Sequence, residues 1–404
     1  MILSPCKKAY RNETQRTTSP DETLARVEKA LPAAGITRVA DITSLDRIGI
    51  PVFSSIRPTA GRGAVSVYNG KGATPTEAKV SAIMEGIERY SAEVPDGVEL
   101  RVERFGAMRG EGPALDPSLL VLPRNADPGM PVPWARGYDL LHEEEIMVPA
   151  SAVFHPLPPQ YPQLFRTSTN GLASGNTLEE AVFHALMEVI ERDAWSRAEA
   201  SRRTGPMVTG INGALPGDLL SRFESAEVEV RVKDITSDLR IPTFAAVSDD
   251  LRLRDPTLLT IGMGTHTNAA IALLRALTEV AQSRLTQIHG AREDTPTADM
   301  RKVMGYERAR RMNRYWFDSP REEPFADVPS FDSDDFLTDI RMTLGRLEGA
   351  GIDRVIVVDL TRPEINVPVV RVIVPGLEVY AMDQERMGAR CHAARNRSIP
   401  GPKL

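Results

Sequence analysis

The spacing of apolar and polar positions predicts a long helix over residues 81–93, SAIMEGIERYSAE. Apolar residues recur there every three or four positions, as on the packed face of a helix; they are Ile83, Met84 and Ile87. At about 100° per residue, Ser81, Glu85 and Glu88 lie on the neighbouring stripe. One acidic stripe beside a packed face is usually solvated, and a surface pair between Glu85 and Arg89 would account for it.

The same pattern occurs twice more along the chain. Residues 69–89 and 170–192 both contain a glycine-bearing turn followed by a helix that ends in E-x-x-E-R. A third turn-then-helix segment, residues 262–282, carries Glu279 and Gln282 at the corresponding positions. Solvation alone does not explain two acidic helices of nearly the same sequence. We therefore expect their carboxylates to converge on one site.

Converging carboxylates repel one another unless a cation lies among them. Oxygen ligands favour a hard ion such as Mg²⁺, and the two cysteines, Cys6 and Cys391, stand in no zinc or iron–sulfur pattern. Mg²⁺ usually binds through a few carboxylates together with phosphate oxygens, and the glycine turns with nearby Lys and Arg side chains would contact phosphate. The sequence contains neither a GxxxxGK[ST] loop nor the kinase motifs HRD and DFG. It therefore predicts a nucleotide–Mg²⁺ site of another kind.

The remaining segments mix predicted strands and helices, which indicates an α+β (mixed α/β) fold. A chain of 404 residues suggests one large domain or two to three subdomains. A helix capped at Ser19-Pro20 is expected over residues 20–31. Residues 292–335 are expected to form a charged, irregular surface insertion, and the arginines within residues 308–314 a solvated helix face or a basic docking patch.

Composition and charge exclude several classes of partner. A net charge of −6 argues against nucleic acid. The sequence has no run of 18 apolar residues, so no membrane span is expected. The N-terminal residues lack an apolar signal region, which favours a cytoplasmic location.

Taken together, the motifs resemble those of the YcaO family. The family's ATP-binding pattern S-x-x-x-E-x-x-E-R is matched by Ser81, Glu85, Glu88 and Arg89. The pattern N-x-x-x-E-x7-E-x-x-E-R is matched by Asn176, Glu180, Glu188, Glu191 and Arg192, and Q-x-R by Gln282 and Arg284. Three further residues match nucleotide-contacting positions, namely Arg16, Thr23 and Lys71. The resemblance runs from about residue 8 to about residue 390.

The resemblance implies ATP and Mg²⁺ as cofactors and assigns the site residues. The metal ligands would be Glu85, Glu88, Glu180, Glu188 and Glu191. Phosphate would be met by Arg16, Lys71, Arg192 and Arg284. Further nucleotide contacts would come from Thr23, Ser81, Arg89, Asn176 and Gln282. Catalytic roles are expected for Glu191, Arg192 and Arg284. A structural role is expected for Glu77, and no general base is evident, although His184 and His266 are candidates.

The resemblance also implies a fold in which several subdomains pack helices on mixed sheets around a central ATP–Mg²⁺ site, and an organisation of the chain. It divides the chain into an N-terminal segment (1–60), a catalytic core (61–395) and a polar tail (396–404). Family members are commonly homodimers, so we expect one here. Residues 23–58 and 374–383 most resemble the archaeal branch called methanogenesis marker protein 1. The C-terminal residues PGPKL depart from the Pro-x-Pro-x-Pro ending of the azoline-forming branch.

The archaeal branch is linked to thioamidation of a glycine in the alpha subunit of methyl-coenzyme M reductase, with a TfuA-like protein as partner. Its chemistry would be attack of a sulfur nucleophile on the backbone carbonyl, transfer of the γ-phosphoryl group of ATP to the oxygen, and loss of phosphate to leave C=S. Two alternatives stay open. One is azoline or amidine formation on a peptide natural product. The other is a non-catalytic accessory role in methylthiolation of a ribosomal protein.

Overall fold

A computed structural model of the chain describes residues 1–61, 63–291 and 296–396. The helices are α1 Pro20–Val27, α2 Pro75–Ser91, α3 Phe105–Glu111, α4 Leu178–Ser201, α5 Ala214–Ser225, α6 Ala269–His289, α7 Pro296–Met304, α8 Tyr306–Met312, α9 Arg314–Phe317, α10 Phe336–Gly349 and α11 Ala389–Asn396. The strands are β1 Tyr10–Arg11, β2 Gln15–Arg16, β3 Arg38–Asp41, β4 Val52–Ile56, β5 Val67–Lys71, β6 Val102–Glu103, β7 Val132–Asp139, β8 Glu144–Pro149, β9 Leu172–Ser174, β10 Met207–Thr209, β11 Val228–Asp234, β12 Thr243–Asp250, β13 Ile261–Thr265, β14 Glu322–Pro324, β15 Ile356–Asp359 and β16 Val369–Ile373.

The strands form three main sheets and one short hairpin of β1 and β2. One sheet has the antiparallel order β3-β4-β5. A second has the order β6-β7-β15-β16-β9, with β8 paired to β7. A third has the order β13-β12-β11-β10-β14, in which β10 and β14 run parallel. Together with the long helices, these sheets confirm the predicted α+β fold.

One long helix packs on each main sheet: α2 on β4 and β5, α4 on β9 and β16, and α6 on β12 and β13. In each case the helix directly follows a strand of that sheet, which gives the units β5–α2, β9–α4 and β13–α6. Each helix also contacts the strand of another unit, α2 with β9, α4 with β13 and α6 with β5. The three segments with the repeated sequence pattern are therefore arranged in a ring.

Glycines in these units let each strand lie directly against its helix. A Cβ atom on Gly70 would lie 1.9 Å from the backbone nitrogen of Ala82 in α2. A Cβ on Gly264 would lie 2.0 Å from the backbone oxygen of Ala272 in α6. Real Cβ atoms do not approach backbone atoms so closely, so both positions require glycine. Close packing thus accounts for glycines that the sequence analysis had assigned to phosphate binding.

The helix starts follow from local sequence. Ser19 and Glu22 form a reciprocal capping box at α1, and Thr74 and Glu77 form one at α2. The α1 cap lies where the sequence predicted it, and the chain continues from α1 into a 3₁₀ turn. Glu77 thus contributes to the start of α2, which agrees with the structural role expected for it.

The prediction for residues 292–335 is wrong over much of its length. Residues 292–295 lie outside the described part of the chain, but α7, α8 and α9 follow in close succession. Trp316 and Phe317 of α9 are buried against β12 and β13 side chains. Arg310 pairs with Asp249 at 2.8 Å and lies over the ring of Phe317. The segment is therefore a packed helical layer. Apart from Arg310, the arginines in 308–314 are solvated as predicted, namely Arg308, Arg311 and Arg314.

The predicted domain boundary at residue 60 falls between β4 and β5, two paired strands of one sheet. The division of the chain stays a prediction. Most of the predicted tail, residues 397–404, lies outside the described residues.

Candidate functional site

The three long helices enclose a cleft with a volume of about 1660 Å³. All but one of the predicted site residues line it. They are Arg16, Thr23, Lys71, Ser81, Glu85, Glu88, Arg89, Asn176, Glu180, Glu188, Glu191, Arg192 and Gln282. The repeated units thus bring their acidic stripes to one cavity, as the sequence pattern predicted. The role of each side chain stays a prediction.

The start of α4 holds the N-terminal segment of the chain. Glu180 is buried and accepts hydrogen bonds from the backbone nitrogen of Thr17 at 2.9 Å and from its hydroxyl at 2.8 Å. The Asn176 amide also donates to Glu180 at 3.1 Å, and Thr23 donates to Asn176 at 2.9 Å. Arg16 lies 3.7 Å from Glu180. Glu180 therefore connects the N-terminal segment to the cleft.

Glu88 on α2 is held by the neighbouring unit. The backbone nitrogen and the hydroxyl of Ser174, at the end of β9, donate to it at 2.8 and 2.7 Å. Burial, with the nearby charge of Glu85, raises the pKa of Glu88 to about 7 in spite of these donors. Glu85 itself is paired with Arg89 at 2.8 Å, the helical pair that the sequence allowed.

The second half of α4 contributes two more buried acids. Glu188 and Glu191 lie 3.9 and 3.7 Å from the guanidinium of Arg192. Burial raises the pKa of both carboxyl groups although Arg192 opposes the shift. Burial therefore outweighs the nearby positive charges and disfavours the ionised carboxylates, which a bound cation would favour.

The third unit adds an acid whose negative charge is neutralised by a lysine. Glu279 on α6 forms an ion pair with Lys71 of β5. Burial acts to raise the pKa of Glu279, but the charges of Lys71 and Arg192 outweigh it and leave the pKa below its usual value. The amide of Gln282 donates to the backbone oxygen of Asn69. These contacts join α6 to β5 across the cleft.

Arg275 is a lining residue that the sequence analysis missed. It lies one helical turn before Glu279, and that spacing on the acidic face of α6 was the available signal. Its Nε atom is buried and has no hydrogen-bond partner among the described residues, and the same is true of Arg89 and Arg192. All three arginines line the cleft, and guanidinium groups fit the oxygens of a phosphate chain.

The structure corrects the prediction for Arg284, which lies outside the cleft. Its side chain is fully buried and pairs with Asp46 at 2.8 Å and with Asp250 at 3.0 Å. Two residues advance a helix by about 200°, so Gln282 and Arg284 cannot face the same side of α6. Arg284 therefore joins α6 to β12 and the loop before β4, and we withdraw its phosphate and catalytic roles.

The two candidate histidines differ in position. His184 lines the cleft, and its Nε2 atom contacts Arg16. His266 is buried away from the cleft, where its Nδ1 accepts from the backbone nitrogen of Asn268 at 2.9 Å. Burial, followed by nearby positive charges, lowers the pKa of both imidazoles well below the usual value. His184 is therefore unsuited to accept a proton because its Nε2 atom contacts Arg16, and His266 is unsuited because it lies away from the cleft.

The donor set fits Mg²⁺ held together with a nucleotide. Within residues 1–61, 63–291 and 296–396, no three acidic, His or Cys side chains already form a metal-binding cluster. Mg²⁺ does not require one, because it usually takes one or two carboxylates, several waters and phosphate oxygens. The uncompensated acids of α2 and α4 and the unpaired arginine donors provide the two halves of such a site.

The fold and the cleft together define a protein that binds a nucleotide and a divalent cation between repeated acidic helices. A family model described as YcaO cyclodehydratase, ATP- and Mg²⁺-binding, matches residues 69–378. The chain therefore belongs to the YcaO family, whose members are ATP-dependent peptide-modifying enzymes. This confirms the prediction of ATP and Mg²⁺ as cofactors.

Relatives and a solved structure support the assignment. The chain is 51% identical over 383 residues to an uncharacterized protein from Methanothermobacter thermautotrophicus, covering 93% of this chain and 98% of the relative. It is 34% identical over 380 residues to a Rhizobium leguminosarum protein in the tfuA 3' region, covering 90% and 89%. The structure of YcaO from Methanopyrus kandleri, bound with AMPPCP and Mg²⁺, has a TM-score of 0.80 at 30% identity, covering 95% of this chain and 98% of that one.

In the described part of the chain, no helix has the length and apolar character needed to cross a bilayer.

Proposed function

We propose that this protein uses ATP and Mg²⁺ to activate the oxygen of a peptide backbone amide by phosphorylation, so that sulfur replaces it. The proposal depends on one observation. Acids and cations from three separate units line a single cleft, and burial raises the pKa of Glu88 and Glu191, buried acids of α2 and α4. Such a site suits a triphosphate with divalent cations better than it suits an uncharged ligand.

The side chains divide by what they can hold. The proposed Mg²⁺ ligands are Glu85, Glu88, Glu180, Glu188 and Glu191, and the ion would neutralise the charge of the phosphate chain there. The proposed phosphate contacts are Arg16, Lys71, Arg192 and Arg275. An amide oxygen is a poor leaving group, and ATP supplies the phosphoryl group that makes it a good one. The chain would contribute positioning and charge neutralisation, the usual basis of phosphoryl-transfer catalysis.

Thioamidation of a glycine in the alpha subunit of methyl-coenzyme M reductase is the outcome that we favour. The sequence resembles the archaeal branch with that activity, and one relative is described by its position beside tfuA. We extend the proposal to a TfuA-like protein that delivers sulfur, to a homodimer and to a cytoplasmic location. These parts rest on the resemblance.

Formation of an azoline or amidine ring is the second candidate, and the family description as a cyclodehydratase favours it. The two reactions share the phosphorylated amide. They differ in the nucleophile, which is a sulfide in the first and a Ser, Thr, Cys or nitrogen group of the peptide in the second.

The mass of the product separates the two candidates. The chain would be incubated with ATP, Mg²⁺, sulfide and a peptide from the reductase alpha subunit. Exchange of oxygen for sulfur adds about 16 Da, whereas cyclodehydration removes about 18 Da, which fixes the reaction class. Glu191→Ala serves as the inactive control. If the wild-type chain shows no Mg²⁺-dependent ATP consumption with peptide and TfuA-like protein present, the accessory role is favoured instead.

A further inference from the structure

The cleft continues beyond the acidic helices into a second lobe. We define this lobe by the lining residues of three segments, 63–65, 155–169 and 382–383. The volume of the whole cleft, about 1660 Å³, exceeds the roughly 300–1,000 Å³ of a pocket for one small ligand. The polar groups of the second lobe are mostly neutral, namely those of His155, Gln163, Thr167, Ser168 and Thr169. Such groups suit a peptide backbone, which offers neutral donors and acceptors.

A buried arginine fixes this lobe against the acidic helices. Arg371 of β16 is 1% exposed and donates three hydrogen bonds to backbone oxygens, to Val153 at 2.9 Å, Asn170 at 2.7 Å and Ser168 at 2.9 Å. The backbone nitrogen of His155 donates to the oxygen of Ala92, just after α2, at 2.9 Å. These bonds hold the segment that carries His155 next to the end of the acidic helix.

One of the two ring nitrogens of His155 has a hydrogen-bond partner. Its Nδ1 lies 3.0 Å from the hydroxyl of Thr167, and no hydrogen bond to Nε2 is found within the described residues. Burial, followed by the positive charges of Arg89, Arg371 and Arg166, lowers the pKa of the imidazole to about 4. The ring is therefore neutral at neutral pH and can still accept a proton.

The other histidines do not place a ring nitrogen without a hydrogen-bond partner at the cleft. Of the six in the chain, only His155 and His184 line the cleft. The Nε2 atom of His184 already contacts Arg16. In the second lobe the carboxylate of Asp383 could also accept a proton, but it already accepts a hydrogen bond from the backbone nitrogen of Glu385 at 3.1 Å.

We propose that His155 is the proton acceptor of the reaction, a role that rests on the proposed function. In thioamidation, the attacking hydrosulfide forms the C–S bond, and the amide oxygen takes the γ-phosphoryl group of ATP, which releases ADP. The C–O bond then breaks and phosphate leaves with its electron pair, the S–H electron pair forms C=S, and the proton passes to Nε2 of His155. The proton later returns to phosphate or water. In ring formation the amide N–H would lose its proton to the same nitrogen.

The surrounding charges link this role to the nucleotide. Arg89, Arg166 and Arg371 disfavour a protonated His155 in the free chain. A bound triphosphate would offset their positive charge, so the pKa of His155 would rise toward the range in which a general base is most effective. His155 would then be a better proton acceptor in the loaded enzyme than in the free one.

The first test measures turnover. His155→Gln keeps a hydrogen-bonding group beside Thr167 but removes the base. We expect kcat for peptide modification to fall about 10²–10⁴-fold. The affinity for AMPPCP with Mg²⁺ should stay within about twofold of the wild type, since no phosphate contact is lost. The exposed His392→Gln on α11 is the matched control. A His155→Gln enzyme that keeps more than a tenth of the wild-type kcat would overturn the proposal.

The second test needs no turnover. In the full chain labelled with ¹³C-histidine, the spectrum contains signals from six histidines, and His155→Gln identifies the one that matters. We expect its titration midpoint to move to higher pH when AMPPCP and Mg²⁺ bind. A midpoint that the nucleotide leaves unchanged would contradict the proposal. A wild-type chain that modifies no reductase peptide would count against the proposed substrate, while this titration would still decide the role of His155.

Discussion

At the scale of single residues, local charge balance distinguishes acids that the sequence alone cannot tell apart. Glu88 and Glu279 both occupy the acidic stripe of a repeated helix. Burial dominates at Glu88 and raises its pKa to about 7, because Ser174 donates only neutral hydrogen bonds. Lys71 and Arg192 outweigh burial at Glu279 and lower its pKa. The need for an added cation therefore lies beside α2 and α4 and not at α6.

The raised pKa of Glu88 predicts how nucleotide binding depends on pH. Its carboxyl group is largely protonated below about pH 7 and ionised above it, so a cation competes with a proton for this group. We expect the affinity for AMPPCP with Mg²⁺, measured by calorimetry, to rise between pH 6 and pH 8. Glu88→Gln should bind more weakly and lose most of that dependence. Equal pH dependence in both proteins would show that another group is responsible.

Two arginines on α6 should respond differently to the same substitution, one through stability and the other through nucleotide binding. Arg284→Met would remove the cation of α6 that pairs with the buried carboxylates of Asp46 and Asp250. Removal of one partner from a buried ion pair typically costs about 3–5 kcal/mol of unfolding free energy. Arg275→Met should change stability little and weaken AMPPCP binding. Urea unfolding and calorimetry on both variants measure the two effects. If Arg284→Met unfolds like the wild type and loses nucleotide binding, our correction of its role is mistaken.

At the scale of elements, the strand–turn–helix unit links packing to chemistry. The glycines set how closely β5 approaches α2, and the same strand carries Lys71 into the cleft. Position of a charged side chain thus depends on a backbone contact one residue away. A change in this packing should reach the site even though no site residue is altered.

Gly70→Ala tests that link. The new Cβ would lie 1.9 Å from the backbone nitrogen of Ala82, so β5 must move away from α2. We expect a loss of about 1–3 kcal/mol of unfolding free energy, as for other overpacked cores. AMPPCP should also bind more weakly. The matched control is Gly345→Ala in α10, which has open space around it and should be neutral or stabilising by about 0.5–1 kcal/mol. Equal behaviour of the two variants would argue against the close-packing role.

The sequence predicted those parts of the molecule that depend on local pattern. The capped start of α1, the acidic stripes of α2 and α4 and their convergence follow from periodicity and repetition. The error at Arg284 came from a motif read without regard to helix phase. The short helices α7 to α9 were missed because they have only nine, seven and four residues, too few for a helical period to show in the sequence. His155 lies in an irregular segment, where no periodicity shows which way a side chain points.

At the scale of the whole molecule, the N-terminal segment completes a site built by residues far along the chain. Lys8 is buried between α4 and α10, where it pairs with Asp339 at 2.5 Å and donates to Gln15 at 2.6 Å. The rings of Phe183 and Phe336 lie 5.4 and 5.2 Å from its ammonium group. Shortly after Lys8, the chain brings Arg16 and Thr17 to Glu180 in the cleft.

Lys8→Met should therefore weaken nucleotide binding from outside the cleft. It would leave Asp339 buried without its cation, a change that typically costs about 3–5 kcal/mol. Because the cost is relieved when residues 1–18 detach, we expect faster hydrogen exchange in these residues and a lower affinity for AMPPCP with Mg²⁺. The neighbouring Lys7 has an exposed side chain, so Lys7→Met should change neither property. Tight AMPPCP binding by Lys8→Met with residues 1–18 detached would mean that Arg16 is not needed to hold the nucleotide.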